Sequence, residues 1–463
     1  PLFVLKKKSA PELAKLREET LNRLDMTSSY LQAYEESEGS QLFLNARQNY
    51  PVLHRIQSNL YKCFLPQAWR YGKQNGVSGF LHPEGVYDDP KGGKLREAVY
   101  PRLRHHFQFV NEFLLFREIT NHVKYSINIY SSTNQNEVLI YHLANLFHPK
   151  TVDSCFNHSG KGPISGIKDE NNKFSINGHL SRIIPIKEQE LFLFAKLYDP
   201  VGTPPLQARL PALHSRELVQ VLEKFAAQPK KLGDLQDEYF STEMWHETNS
   251  QNDRTIRRNT QFPDSPEERV LSGPHFFVGN PFYQTPRAEC TTNRSYDILD
   301  LTDLPDDYLP RTNYAPACSR DEYHRRTPKV PWDGKRVTEY YRIISRTMIG
   351  SSSERTLISA VIPKKVSHID LGFSITFKTI SNIPLICALF NSICYDFFVK
   401  TTGKGHFRND IASLLPILNF YVTNLTIRAL TLNCVSKYHS SLWSSCWQDA
   451  FNDDFWAKSD PRL

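Results

Sequence analysis

Residues 76–132 constrain the fold more than any other stretch, because they read as strand, loop, helix, strand and strand in quick succession. Val77–Leu81 is a short apolar run closed by Pro83 and Gly85, the pattern of a buried strand running into a loop. Gly85, Gly92 and Gly93, with Pro90 and the Asp88-Asp89 pair, make the next segment irregular and exposed. Leu95, Ala98, Val99 and Leu103 then fall on one face of a helix. Phe107, Phe109 and Phe113 alternate with polar residues, as do Tyr125, Ile127 and Ile129, which predicts two half-buried strands with the apolar side inward. The whole reads as one edge of an α/β sheet. Ligands in such sheets bind beyond the carboxyl ends of strands, and His82-Pro83-Glu84-Gly85 occupies such an end.

Upstream, Leu13, Leu16 and Leu21 predict a helix over Pro11–Arg23, with Pro11 in its first turn. Lys6-Lys7-Lys8 before it reads as a solvated basic tip. A second helical region spans Gln41–Tyr71 and carries Leu60, Phe64 and Leu65. Downstream, residues 134–272 read as a helical insertion, with Leu191-Phe192-Leu193-Phe194 strongly apolar and Leu218, Val221, Leu222 and Phe225 at helical spacing. His158-Ser159-Gly160-Lys161-Gly162-Pro163 lacks the spacing of a phosphate-binding loop and reads as a surface turn. From Gly273 the chain turns rich in Tyr, Pro and Arg. Residues 320–365 hold 11 Lys/Arg against 5 Asp/Glu, close to the net +7 of all 463 residues. Interleaving with Tyr323, Trp332, Tyr340 and Tyr341 gives this stretch the makings of a nucleic-acid face.

A length of 463 residues allows two or three domains. The 8 cysteines form no C-x-x-C pair and no Cys/His spacing suited to zinc, which argues against a structural metal and fits a reducing, cytoplasmic setting. Ile380–Val399 is the most apolar window, but Asn382, Pro384, Asn391 and Asp396 make it a buried helix rather than a membrane span. The sequence opens at Pro1 on an apolar run, Leu2-Phe3-Val4-Leu5, which reads as the interior of a longer polypeptide.

The order Phe80-Leu81-His82-Pro83, Leu95-Arg96, Phe107–Phe113, Leu115-Phe116, Lys124–Tyr130 resembles the second half of the catalytic domain of adenine-N6 DNA methyltransferases. The resemblance is to the type IIG restriction–modification kind and to the related phage-defence (BREX-type) methylases. Arg342-Ile343-Ile344-Ser345-Arg346, Glu354–Ile358, Ala360–Pro363 and Ala388–Ser392 followed by Phe397-Phe398 resemble the target-recognition domain of the same family. The resemblance implies the C-terminal half of a Rossmann-like α/β methyltransferase sheet over residues 1–133, a helical insertion over 134–272, an α+β recognition domain over 273–420 and a tail over 421–463. It implies S-adenosylmethionine as cofactor and double-stranded DNA as partner. The cofactor's Gly-rich turn and the Asn/Asp-Pro-Pro-aromatic motif do not precede Val77. The expectation is therefore a chain inactive alone, completed by an N-terminal half or by other defence-system subunits, with no membrane partner. The alternative is a non-catalytic DNA-binding or specificity module.

The resemblance assigns Phe116 to stacking on a flipped adenine, with Lys124 a few positions later; Phe116 as core under its loop is the competing reading. His82 and Pro83 would line the same pocket. Asn280-Pro281-Phe282-Tyr283 mimics the catalytic motif, but Phe282 replaces the second proline and the order along the chain is reversed, so it also reads as a turn entering the recognition domain. Arg287, Arg311, Arg325, Arg326, Lys329, Lys364, Lys365 and Arg408 are the candidate DNA contacts. A metal-dependent nuclease built on Asp306, Asp333 and Lys335 is a weaker enzyme reading.

Overall fold

Alternation along two adjacent strands decides the first sheet, and it buries the face that hydropathy alone would leave outside. In the computed structural model, residues 10–22, 26–57, 59–275, 284–292, 294–350, 353–418 and 422–455 are described. The chain divides into two compact units. The first comprises Pro1–Val152, Ile183–Ala195 and Val201–Leu210; the second comprises Asp153–Arg182, Lys196–Pro200 and Pro211–Leu463.

The sheet of the first unit contains β1 (Val77–Pro83), β2 (Leu103–Val110), β3 (Lys124–Ser131), β4 (Ile140–Leu146) and β5 (Ile184–Ile186). Their order is β1-β3-β2-β4-β5. β3 runs antiparallel to both β1 and β2, whereas β4 joins β2 in parallel and β5 returns antiparallel. The β2–β3 pair therefore does not close the sheet, which continues through β4 and β5.

On one face, His82, His106, Gln108, Ser126, Asn128, Tyr130 and His142 are all nearly inaccessible to solvent. Helices Leu60–Tyr71, Gly85–Asp88 and Gly93–Val99 supply the aromatic and apolar groups next to it. Tyr61 stacks on His82 at 5.3 Å and Tyr87 meets His106 edge-on at 4.2 Å. The opposite face leaves Val77 59% and Leu81 53% exposed, with Phe107, Ile127 and Ile129 half-buried. β1 is thus an edge strand with its apolar side open, not the buried strand that its composition suggests.

Helix Gly93–Val99 is shorter than its spacing predicts, since Leu103 already belongs to β2. Leu95 and Val99 are fully buried, each contributing roughly 1.5–3 kcal/mol. Arg96 is buried on the same helix. Its guanidinium donates to the carbonyls of Val86, Asp89 and Gln207, which ties the loop after β1 to the turn at Pro205–Gln207. Gly72 ends helix Leu60–Tyr71 where a Cβ would collide with Ser132 Oγ, so the close approach to the strand end requires glycine. Helix Met26–Asn45 buries none of its side chains, and Leu31, Tyr34, Leu42 and Phe43 stand exposed on it.

Residues 134–272 are not wholly helical. Besides helices at Lys150–Phe156, Glu188–Tyr198 and Glu217–Ala226 they hold β4, β5, β6 (Tyr239–Thr242), β7 (Ile256–Gln261) and β8 (Val270–Leu271). Exposed Gly160 and Gly162 adopt φ of +79° and +91°, as a surface turn requires. The second unit adds β9 (Gln284–Pro286), β10 (Tyr296–Ile298), β11 (Thr312–Pro316), β12 (Arg342–Arg346), β13 (Ser359–Ile362), β14 (Ser367–His368) and β15 (Gly372–Phe377). They form the sheets β14-β8-β11-β7 and β13-β12-β15-β6 and the pair β10-β9.

Leu271, Ile344, Ile358, Ala360, Ile362 and Val366 make one core cluster; Trp245, Ile256, Val270, Tyr314, Tyr323 and Ile369 make another. The apolar window expected to be one helix is two, Asn382–Phe390 and Ile393–Thr401. The break falls at Ser392, whose hydroxyl caps the second helix by accepting from the Tyr395 N–H at 3.2 Å. No single helix among the described residues is long and apolar enough to cross a membrane. All 8 cysteines are free thiols.

Three imidazoles in the second unit are buried as neutral rings. Burial pushes His275 and His439 down to about 4 and His368 down to about 3. The unfolded chain takes up protons as pH falls through the ordinary histidine value, while the folded chain does not. Stability is therefore full above about pH 6.5 and declines towards pH 4, each ring contributing on the order of 3 kcal/mol to the loss. The urea midpoint followed by tryptophan fluorescence should fall steadily over that interval. A midpoint that is flat from pH 6.5 to 4 would contradict the neutral, buried rings.

Candidate functional site

At the carboxyl end of β1 the backbone turns inward after Pro83 and carries the Glu84 side chain beneath the sheet. One carboxylate oxygen lies 3.2 Å from His106 Nε2 and the other accepts from Gln108 Nε2 at 2.8 Å. His106 Nδ1 in turn lies 2.8 Å from His142 Nδ1, the two rings stacked 5.0 Å apart and nearly parallel. The register aligns these groups: β2 pairs His106 with Asn128 and Gln108 with Ser126 on β3, and His106 with His142 on β4. Burial would raise the Glu84 carboxyl. His106, together with hydrogen bonds from His106, Ser126 and Gln108, outweighs that and holds it at about 2. Glu84 is therefore an anion across the working pH range.

The network continues across the sheet. His82 Nε2 lies 3.0 Å from both the Tyr130 hydroxyl and Asn128 Nδ2, and the Tyr87 hydroxyl donates to Asn128 Oδ1 at 2.6 Å. Burial lowers the His82 imidazole and raises the Tyr87 and Tyr130 phenols, so all three stay neutral. Lys124, at the start of β3, is partly buried. Its ammonium is lowered by that burial and supported by the charges of Glu84 and Asp88.

A second group faces the other side of the same strand ends. Pro83 and Phe109 are both cross-strand partners of Tyr125. The Phe109 and Tyr125 rings stack at 5.6 Å, and Phe116 packs edge-on against Tyr125 at 5.0 Å. Phe116 sits in the loop between β2 and β3, together with exposed Phe113, Leu114, Leu115 and Ile119. Buried Asn111 fixes this loop. Its amide accepts from the Phe116 N–H at 3.1 Å and donates to the Phe116 carbonyl at 2.8 Å, with the Ile119 carbonyl at 3.2 Å. Phe116 keeps 36% of its surface exposed.

The four residues expected to line one pocket thus divide. Pro83 and Phe116 flank Tyr125 at an open rim. Lys124 lies on the opposite face. His82, 2% exposed, belongs to the interior network. Sequence reading missed Glu84, Gln108, His106, Asn128 and Asn111 as a set. The available signal, for His106 and Gln108 on β2 and for Asn128 with Ser126 on β3, was a spacing of two opposite the apolar positions; Glu84 and Asn111 lie outside those strands and carried no such signal.

In the second unit most of the candidate DNA-contacting cations have carboxylate partners. Arg287 pairs with Asp297 at 2.8 Å, Arg325 with Glu322, and Arg326 with Glu322 at 2.5 Å and with Asp253 at 3.3 Å. Lys365 pairs with Glu267 at 3.1 Å and Arg408 with Glu243 at 3.2 Å. Arg311 and Lys364 lie over aromatic rings instead, those of Phe262 at 4.2 Å and Tyr341 at 5.3 Å. Lys329 faces Arg336 across an isolated backbone bridge. Asp333 holds Lys335 at 3.1 Å and accepts from the Tyr340 hydroxyl, while the Asp306 carbonyl accepts the Lys437 N–H at 2.7 Å. Among the described residues no group of three or more His, Cys, Asp or Glu side chains is arranged to hold a metal ion. Asn280-Pro281-Phe282-Tyr283 lies outside the described residues.

No protein-family model matches the chain, and no curated protein matches it. Among solved structures it is similar to a type IIL restriction–modification enzyme, MmeI, in complex with DNA. The identity is 11% and the TM-score 0.35, over 82% of this chain and 45% of that one. It is also similar to the type IIG restriction endonuclease BpuSI, with 10% identity and a TM-score of 0.27, over 87% of this chain and 48% of that one. The chain spans less than half the length of either. Likeness at this level defines neither a shared activity nor a shared substrate.

Glu84 is the group on which the buried network turns. Glu84→Leu removes the acceptor of both His106 and Gln108 and should cost about 3 kcal/mol or more. Chemical denaturation would show it as a large drop in urea midpoint, whereas Glu84→Gln, which keeps one acceptor, should lose less. Equal, small effects of the two substitutions would rule out the carboxylate as the anchor.

Proposed function

We propose that the chain is part of an S-adenosylmethionine-dependent adenine-N6 DNA methyltransferase of a restriction–modification or phage-defence system. In this reading the first unit supplies one end of the catalytic sheet and the second supplies DNA recognition. The observation that carries it is the reversed strand β3 lying between the mutually parallel β1 and β2, with an aromatic, half-exposed Phe116 on the loop joining β2 to β3. The outer edge of β1, unpaired among the described residues, and the apolar face bearing Val77 and Leu81 support a sheet continued by a companion segment.

S-adenosylmethionine would supply the methyl group. The residues at the end of β1 do not fit that cofactor on their own, because both oxygens of Glu84 are already engaged by His106 and Gln108. The cofactor turn and the motif that grips the adenine amino group are assigned to the companion segment. This chain contributes on the base side. Phe116, held by Asn111, offers its ring to the extruded adenine; Tyr125 backs that ring, and Pro83 borders it. Lys124 adds positive charge at the same sheet end, on the opposite face.

The non-catalytic DNA-binding module is the second reading, favoured by the concentration of basic and aromatic residues over 320–365 in the second unit alone. Both readings require duplex binding that weakens linearly on a log–log plot against salt. They part on the cofactor. A methyltransferase reconstituted from this chain and a companion segment should bind S-adenosylmethionine and methylate adenine. Phe116→Ala should then cost about 1–3 kcal/mol in transition-state stabilisation, with duplex affinity nearly unchanged. Cofactor binding by this chain alone would refute the division of labour, and salt-independent or absent duplex binding would refute both readings.

A further inference from the structure

The turn that carries Lys335, the strand β12 and the ends of β13 and β15 meet at one end of a sheet in the second unit. Tyr340 and Tyr341 lead into β12, Lys364 follows β13 by two residues, and Lys378 follows β15 directly. The antiparallel register, Arg342 with Ile362 and Ile343 with Ile375, brings those three chain segments together. Lys335 arrives from a tight turn closed by the Val330 N–H to the Lys335 carbonyl at 2.9 Å, in which Gly334 takes φ +70°. The result is a cleft of about 350 Å³ lined by Lys335, Lys364 and Lys378 together with Tyr340, Tyr341 and Phe377.

Its parts divide by chemistry. Phe377, Tyr341 and Ile383 are buried and make an apolar floor. Tyr340 is half-exposed, and its ring is fixed from two sides. Trp332 packs edge-on at 5.5 Å and donates its indole N–H to the Tyr340 hydroxyl at 3.1 Å, and that hydroxyl donates to Asp333. Lys364 and Lys378 are exposed at the rim. Glu339 is the acid in the lining, and Arg336 holds it at 2.9 Å.

Asp333 holds Lys335 at 3.1 Å, which leaves Lys364 and Lys378 as the exposed charge of this cleft. The larger cleft bordering the Val337–Glu339 turn, about 590 Å³, differs. There Glu267 holds both Arg320 and Lys365, and Glu339 holds Arg336, so its arginines and its lysine are already neutralised.

We infer that the smaller cleft is a binding site for a single nucleotide, with the base against Tyr340 and the apolar floor and the phosphate between Lys364 and Lys378. The volume suits one nucleotide and excludes a duplex. A fixed aromatic ring beside exposed ammonium groups is the combination that binds unpaired nucleotides without sequence preference. The inference rests on reading the second unit as a nucleic-acid face and narrows it to an unstacked nucleotide. The same chemistry would be offered by an unpaired position in a strand or by a free nucleotide.

The test uses the full chain and fluorescence anisotropy with three labelled probes: a deoxythymidine oligonucleotide, a duplex, and thymidine monophosphate. The double substitution Lys364→Gln with Lys378→Gln should weaken single-strand binding about tenfold or more. It should also reduce the log–log salt slope by about 0.7, the value for one neutralised phosphate lost on a single strand. Tyr340→Leu should weaken binding at least about fivefold with the slope unchanged. Single-strand affinity unaltered by both variants, with salt-dependent duplex binding intact, would overturn the nucleotide site and leave the DNA reading standing. Binding of thymidine monophosphate that is lost in the lysine variant, with neither oligonucleotide nor duplex bound, would support the site for free nucleotides and sink the DNA reading. Binding of none of the three would sink both.

Discussion

The first unit depends on one buried anion. Glu84 lies under the sheet with two donors, and its charge is held by geometry that three strands must supply together: β1 delivers the carboxylate, β2 delivers His106 and Gln108, and β3 delivers Ser126. A slip of one residue in the pairing of β2 would exchange these side chains for His105, Phe107 and Phe109. The network therefore specifies register as well as adding stability. It also explains why polar side chains can occupy the covered face. Most of the hydrogen-bonding groups on that face find a partner, Gln108 Oε1 being an exception, so burial is opposed by few orphaned polar atoms.

The second unit manages buried charge differently. Arg342 is wholly inaccessible and donates to the Val366 carbonyl and the Met244 sulfur, and burial brings its guanidinium down to about 9. His368 beside it is held neutral by burial and by that neighbouring cation. The hydroxyl of Tyr323, joined to Trp245 at 2.8 Å and Ser367 at 2.7 Å, ties the Trp245 side chain to the sheet that holds Ser367 through polar contacts within an apolar cluster. The exposed cations by contrast are mostly paired with carboxylates, Lys335 with Asp333 among them, which leaves Lys364 and Lys378 beside Tyr340 and Tyr341 as the distinctive electropositive feature.

Legibility from the sequence followed local physics. The short strands at 77–83, 103–110 and 124–131, the turn between the first two and the basic, aromatic character of 320–365 were readable, because alternation and composition are local signals. Which side of β3 is buried was not. Tyr125, Ile127 and Ile129 alternate with Ser126, Asn128 and Tyr130, and hydropathy favours the wrong set. The choice is made by Tyr61, Tyr87 and the helices that carry them, distant in sequence. The extension of the sheet through β4 and the strands within 134–272 were hidden for a related reason: Ile184–Ile186 is too short to carry a period, and its partner lies some forty residues upstream. Phe116 and Pro83, named by resemblance, both adjoin Tyr125. His82 was misplaced by that resemblance, because a strand-end position fixes where a side chain starts but not which face it enters.

The clamp that Asn111 places on the loop after β2 has a thermodynamic consequence. A free loop of this kind would surrender about 1–2 kcal/mol of conformational entropy per residue on gripping anything. Here a single buried amide holds the Phe116 backbone by both its N–H and its carbonyl and reaches Ile119 as well. That cost is met when the chain folds. Whatever comes to rest against Phe116 meets a surface that is already ordered, and the full strength of the contact is available for affinity or for catalysis.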